Sequence, residues 1–184
     1  FKRAFPESLA SFQKAHSLAP DNPVANLQLA LALDAVGRQA DSTPHYEAVL
    51  KTDPGNSIAL NNLAYRLADK GVDLDRALRY AEQAVKNAPN TPVFEDTLGW
   101  VYLKKNLPDS AIPIFRRLLE KQPRNPEWLF HLGLAQYQKG DKTGARQTLK
   151  DALANKPSDA DVARSNEILK ASGESTSCDS RRPM

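Results

Sequence analysis

The chain has 184 residues, of which 41% are hydrophobic and 26% charged, and its formal charge is +3. That balance belongs to a folded globular chain rather than a disordered one, and no stretch approaches the about 20 apolar residues that a membrane-spanning helix needs. Lys and Arg alternate with Asp and Glu along most of the chain, so the charge reads as a solvated helical surface with no basic stripe for nucleic acid.

The sequence opens at Phe1 inside a helical pattern, so it reads as a fragment of a longer protein whose localisation signals lie elsewhere. Residues 4–18 are expected to form a helix with Phe5, Leu9, Phe12 and Ala15 along one side. That helix ends at Pro20, the first of a ladder of prolines: Pro20, Pro54, Pro89, Pro123 and Pro157, separated by 34, 35, 34 and 34 residues. Proline cannot continue a helix interior, so each rung marks a helix end and a turn. A stop at this interval means one supersecondary unit repeated.

Complete units are expected at 23–56, 57–91, 92–125 and 126–159, with 1–22 forming only the second half of a unit. Such an incomplete end is expected to self-associate or to show weak hydrogen-exchange protection over 4–18. The unit at 23–56 carries Leu29-Ala30, Leu33, Ser42, Tyr46 and Val49. The next carries Leu63-Ala64, Leu67, Ala77, Ala81 and Ala84, with one extra residue assigned to the turn Lys70-Gly71-Val72-Asp73. The clearest unit has Leu98-Gly99 and Tyr102, then Ala111, Phe115 and Leu118. The last has Leu132-Gly133, then Ala145, Leu149 and Ala152.

Each unit thus reads as a helical hairpin. Gly99, Gly133, Ala30 and Ala64 are expected where the two helices cross most closely, with Tyr102 and Phe115 filling the wider gaps beside them. Gly37, Gly71 and Gly140 fall between paired helices, where a left-handed residue ends the first. Asp75, before Arg76-Ala77, reads as a helix cap. Pro44 and Pro113 occupy the same point of two second helices, which are expected to start late or bend there. Residues 160–171, with Asp161, Arg164, Asn166, Glu167 and Lys170, read as a polar capping helix. Residues 172–184 show no apolar periodicity and read as a disordered tail. Its Cys178 is the sole cysteine, so no internal disulfide or cysteine-based zinc site can form.

No catalytic constellation emerges. His16, His45 and His131 lie in different units, and no zincin helix, phosphate loop or nucleophile elbow occurs. The chain is therefore read as a non-enzyme that needs no metal and no cofactor.

The spacing Leu98-Gly99-x-x-Tyr102, then Ala111-x-x-x-Phe115, then Pro123 resembles the tetratricopeptide repeat. The resemblance covers 20–159 strongly and most of the remainder in part. It implies an all-α fold, a right-handed α-solenoid of stacked antiparallel helix hairpins, with about ten helices and no strands. The family's first-helix tryptophan is replaced by Asn26, Leu60, Glu95 and Leu129. The asparagine-rich stretch 61–65 and the stretch 96–102 resemble exported bacterial repeat proteins, which implies a bacterial envelope location.

Helix geometry places a second set of residues off each first helix's packing stripe. These are Leu27 and Leu31; then Asn61, Tyr65 and Ala68; then Asp96, Trp100 and Leu103; then Phe130, Leu134 and Tyr137. The resemblance implies that they line a concave groove, with Asn61, Asn62, Asp96 and His131 as polar neighbours. The expected partner site is therefore Asn61, Asn62, Tyr65, Asp96, Trp100, Leu103, Phe130, Leu134 and Tyr137, with Trp100 as an anchor. The carboxylate clamp that some family members use for chaperone tails would fall on Leu27, Leu31, Asn62, Val93 and Thr97, and only Asn62 matches. The leading reading is a scaffold holding a peptide or helix of a partner protein in an apolar, aromatic groove. A self-assembling structural segment of a larger complex is second, and RNA binding third.

Overall fold

The structure, a computed structural model, describes the backbone of residues 4–173 and the side chains of 9–172. The sequence-predicted tail from residue 174 onward, with Cys178, lies outside the described residues, as does the Phe5 side chain. Ten helices and no strands make up the described chain. They are α1 (Ala4–Leu18), α2 (Pro23–Ala35), α3 (Gln39–Thr52), α4 (Ser57–Lys70), α5 (Leu74–Asn87), α6 (Pro92–Lys104), α7 (Pro108–Lys121), α8 (Pro126–Lys139), α9 (Lys142–Ala154) and α10 (Asp159–Gly173). The fold is the all-α array of helix hairpins that the sequence pattern implies. The final helix is longer at both ends than the expected 160–171, taking in Ser172 and Gly173.

The proline ladder works as a stop followed by a start. Two residues after Pro20, Pro54 and Pro123 stand Asn22, Asn56 and Asn125. Their side chains accept from Val24 and Ala25, from Ala59 and from Trp128. Each satisfies backbone N–H groups that a helix's first turn leaves without partners. Between paired helices, Gly37, Gly71 and Gly140 take φ of +78°, +66° and +89°, and Asn106 takes the same role at +58°. The cap of α5 is Asp73, not Asp75. The Asp73 carboxylate accepts from the Arg76 backbone N–H at 3.3 Å, while Asp75 falls inside the first turn.

The two interior prolines do not delay their helices. α3 begins at Gln39 and α7 at Pro108, and each runs through its proline. The lost hydrogen bonds would have gone to the Ala40 and Asp109 carbonyls, one turn back. Those residues and both prolines are exposed, so water can take the place of the missing donor.

The chain divides into two compact units, residues 1–97 and 98–184, the division falling within α6. In the first, neighbouring helices pack in sequence from α1 to α5. Its core is built on Ala30, Tyr46, Val49, Ala59 and Leu63, continued by Leu60, Ala84 and Phe94. In the second, α7 packs on α8, α8 on α9, and α10 on both α8 and α9. Leu103, Ala111, Phe115, Leu118, Trp128 and Leu132 form one core there, and Leu129, Phe130, Leu149, Ala152 and Ile168 another. Gly99 and Gly133, in the second unit, sit at close helix crossings, as their repeat position predicts. A Cβ on Gly99 would stand 2.6 Å from the Phe115 ring, and one on Gly133 2.6 Å from a Leu149 methyl.

Candidate functional site

The nine expected partner-site residues separate by burial. In the first unit, Tyr65 is 43% exposed and Asn62 is half-buried, whereas Asn61 and Asp96 are buried. In the second, Trp100, Leu134 and Tyr137 are half-buried, whereas Leu103 and Phe130 belong to the cores. Leu103, Phe130, Asn61 and Asp96 therefore offer almost no surface to a partner, a correction to their expected role.

Trp100 is only partly available. Its ring lies 4.8 Å from His131, and the Lys104 ammonium stands 4.7 Å from its centroid. It packs with Leu134 against the core of its unit, and its indole N–H is enclosed without a hydrogen-bond acceptor. His131, expected at the groove, is buried among the Trp100, Phe115 and Phe130 rings.

The first unit holds a cleft of about 520 Å³ whose lining includes Asn62, Tyr65, Arg66, Asp69, Lys70 and Asp34. One wall is a fixed ionic network. The Arg66 guanidinium, from α4, pairs with the Asp34 carboxylate of α2 and donates to the Gln39 carbonyl and the Thr43 hydroxyl of α3. Asp34 also accepts from the Tyr46 hydroxyl at 2.7 Å and from the Ser42 hydroxyl at 2.5 Å. Burial first, then the hydrogen bond and the charge of Asp34, push the Tyr46 phenol well above its ordinary range. The phenol therefore stays a neutral donor. The network locks three helices together and gives the cleft a polar side that the expectation of an apolar groove did not include.

Three residues absent from the expected set are more open than most of it. Val24 is 64% exposed, Ile58 39% and Val93 56%. They occupy the second residue of α2, α4 and α6, spaced by 34 and 35 residues. Ile58 lies three residues before Asn61 and seven before Tyr65, on the same helical face. Among the described residues, the large exposed hydrophobics within helices are these, Tyr65 and Leu18 of α1; none lies on α3, α5, α7 or α9. Extending the face back one turn would have found them in the sequence.

Among the described residues no three His, Cys, Asp or Glu side chains gather as a metal site, and no helix is long and apolar enough to cross a membrane.

Comparison with known proteins matches the tetratricopeptide repeat profile at residues 27–92 and 97–160, more than half of the chain. The chain belongs to the tetratricopeptide repeat family. It is 32% identical over 85 residues to the TPR repeat-containing protein PA4667 of Pseudomonas aeruginosa, a match over 46% of this chain but only 14% of that protein. Solved structures share the fold at lower identity. YrrB, described as a TPR protein with an unusual peptide-binding site, aligns with a TM-score of 0.64 at 20% identity, over 90% of this chain and 85% of its own. PilW, a type IV pilus biogenesis factor, gives 0.71 at 17%, over 94% and 83%. A tetratricopeptide repeat protein from Parabacteroides merdae gives 0.72 at 14%, over 92% and 66%. A repeat of this kind builds an interaction scaffold, and the expected class of partner is protein.

Proposed function

We propose that this chain is a non-catalytic scaffold that binds a peptide or helix of a partner protein on the exposed face of its first helices. The observation that carries this reading is the placement of Val24, Ile58, Tyr65 and Val93. Folding normally leaves large apolar side chains scattered over a surface. Here Val24, Ile58 and Val93 recur at one repeat register, on α2, α4 and α6, and Tyr65 follows two turns along α4. Tyrosine gives large contact area for little lost conformational freedom and is favoured at binding hot spots. Beside it, the cleft at Asn62, Arg66 and Lys70 supplies polar groups that can fix the orientation of a bound backbone. In the second unit, the half-buried Trp100, Leu134 and Tyr137 are the corresponding candidates. Asn61, Asp96, Leu103 and Phe130 act from behind, holding the helices that present this face. The peptide-binding site named for YrrB is consistent with the reading. A self-assembling structural role remains the second reading, and concentration-dependent size in solution separates the two.

Peptides selected from a random library against the folded chain provide a test. Tyr65→Ala should weaken the best of them by about 2 kcal/mol, roughly thirtyfold. Its exposed ring contributes little to folding, so thermal stability should change little. Unchanged affinity with an unchanged fold would reject the first-helix face as the site.

A further inference from the structure

One cluster in the first unit joins three helices through two titratable side chains that the proposed binding face does not use. His16 comes from α1 and His45 from α3. Their rings meet edge to face, with centroids 4.8 Å apart and planes at 84°. His45 is half-buried, and its Nδ1 lies 2.9 Å from the Asn26 side-chain oxygen.

Asn26 fixes the proton on His45. This buried residue of α2 donates its amide to the Pro20 carbonyl at 2.6 Å and to the Asn22 carbonyl at 3.0 Å. Both acceptors are backbone oxygens, so the amide orientation is determined and the Asn26 oxygen must accept. His45 therefore donates from Nδ1, and the neutral ring keeps its lone pair on Nε2. Protonation adds a proton at Nε2 and leaves the bond to Asn26 in place. What changes on acidification is the charge beside His16.

We propose that the His16–His45 pair makes the seating of α1 on the α2–α3 hairpin dependent on pH, so that mild acid releases α1 while α4 and α5 stay folded. The two rings stand at the contact between α1 and α3, and two imidazolium charges cannot share it without repulsion. Little on the surrounding helices offsets that charge. α2 presents the neutral Asn26. On α3, Asp41 stands one turn before His45, but its carboxylate is already paired with Arg38 at 2.6 Å. On α4, Arg66 is held by Asp34 and the Gln39 carbonyl. Burial first, then the neighbouring His16, lower the His45 pKa, and Asp41 opposes them only in part. Protons thus bind His45 more readily when α1 is released than when it is seated. The seating is complete above the ordinary imidazole value of 6.5 and weakens as the pH falls below it.

Hydrogen exchange read as protection factors at pH 7.5 and pH 5.0 tests this. The internal reference is α4–α5, which contains no histidine. Protection over α1 should fall at least about fourfold relative to α4–α5, the factor two unit charges at this separation give even when screened as in bulk water. His16→Phe keeps a ring at the contact without its charge; burial of His45 still opposes its protonation, so the fall should persist but be smaller by about that factor. An acid response absent from the wild-type chain, or equally large in His16→Phe, would overturn the proposal. Should His16→Phe fail to fold, NMR titration of the wild-type imidazoles decides. A His45 midpoint below 6.5 supports the proposal, and one at or above it overturns it.

Discussion

Asp34→Ala is expected to destabilise the first unit by about 2–3 kcal/mol, less than for a fully buried ion pair because the Asp34 side chain is 22% and Arg66 12% exposed. The carboxylate serves three donors, from Ser42, Tyr46 and Arg66. Ser42 can fall back on the Gln39 carbonyl, and Arg66 keeps the Gln39 carbonyl and Thr43. The Tyr46 hydroxyl has no such fallback in a fully buried ring, and an orphaned buried donor is where most of the loss arises. Urea denaturation measures the loss, and a double-mutant cycle locates it. Tyr46→Phe should be costly alone and close to neutral on the Asp34→Ala background. Equal costs on both backgrounds would mean that the network does not hold the helices together.

Phe115→Ala should cost the second unit about 3–5 kcal/mol, as deletion of a fully buried aromatic ring does. Phe115 has no exposed surface and fills the space that Gly99 leaves open. The same contact gives a second expectation. Gly99→Ala places a methyl 2.6 Å from that ring and should cost about 1–3 kcal/mol in the wild-type chain. On a Phe115→Leu background the clash is relieved, and the cost of Gly99→Ala should nearly vanish. Denaturant midpoints of the four proteins decide this. A Gly99→Ala cost that does not change with the residue at 115 would show that the two helices are not in contact there.

The close crossings were legible because the sequence pairs a very small residue with a large one at fixed spacing, Gly99 with Phe115 and Gly133 with Leu149. The proline stops and the glycine turns were legible in the same way, whereas the asparagine caps two residues after Pro20, Pro54 and Pro123 show only in the structure. The binding face was harder to read. One residue turns a helix by about 100°, so periodicity gives the direction of a side chain but not whether something stands in front of it. Leu103 and Phe130 point off the intra-hairpin stripe, yet they are core residues. Val24, Ile58 and Val93 were overlooked. Each stands one turn ahead of Leu27, Asn61 or Asp96 on the same face, and its recurrence from unit to unit marks it. The ionic network of Asp34, Tyr46 and Arg66 was hidden because its members come from three helices, with Asp34 and Arg66 32 positions apart. Asn26, a departure from the family's tryptophan, is explained by its hydrogen bonds to the turn at Pro20 and to His45.

The claim that partners bind the first-helix face is tested most directly by site-specific photocrosslinking. A photoreactive phenylalanine analogue would be placed in turn at Val24, Ile58, Tyr65 and Val93, and at the exposed second-helix positions Lys51 and Gln83. The probe is the tightest peptide selected from a random library. Crosslinking should concentrate at Ile58 and Tyr65, extend to Val24 or Val93, and be absent at Lys51 and Gln83. Crosslinking at Lys51 or Gln83 equal to that at Tyr65, or confined to them, would contradict the account.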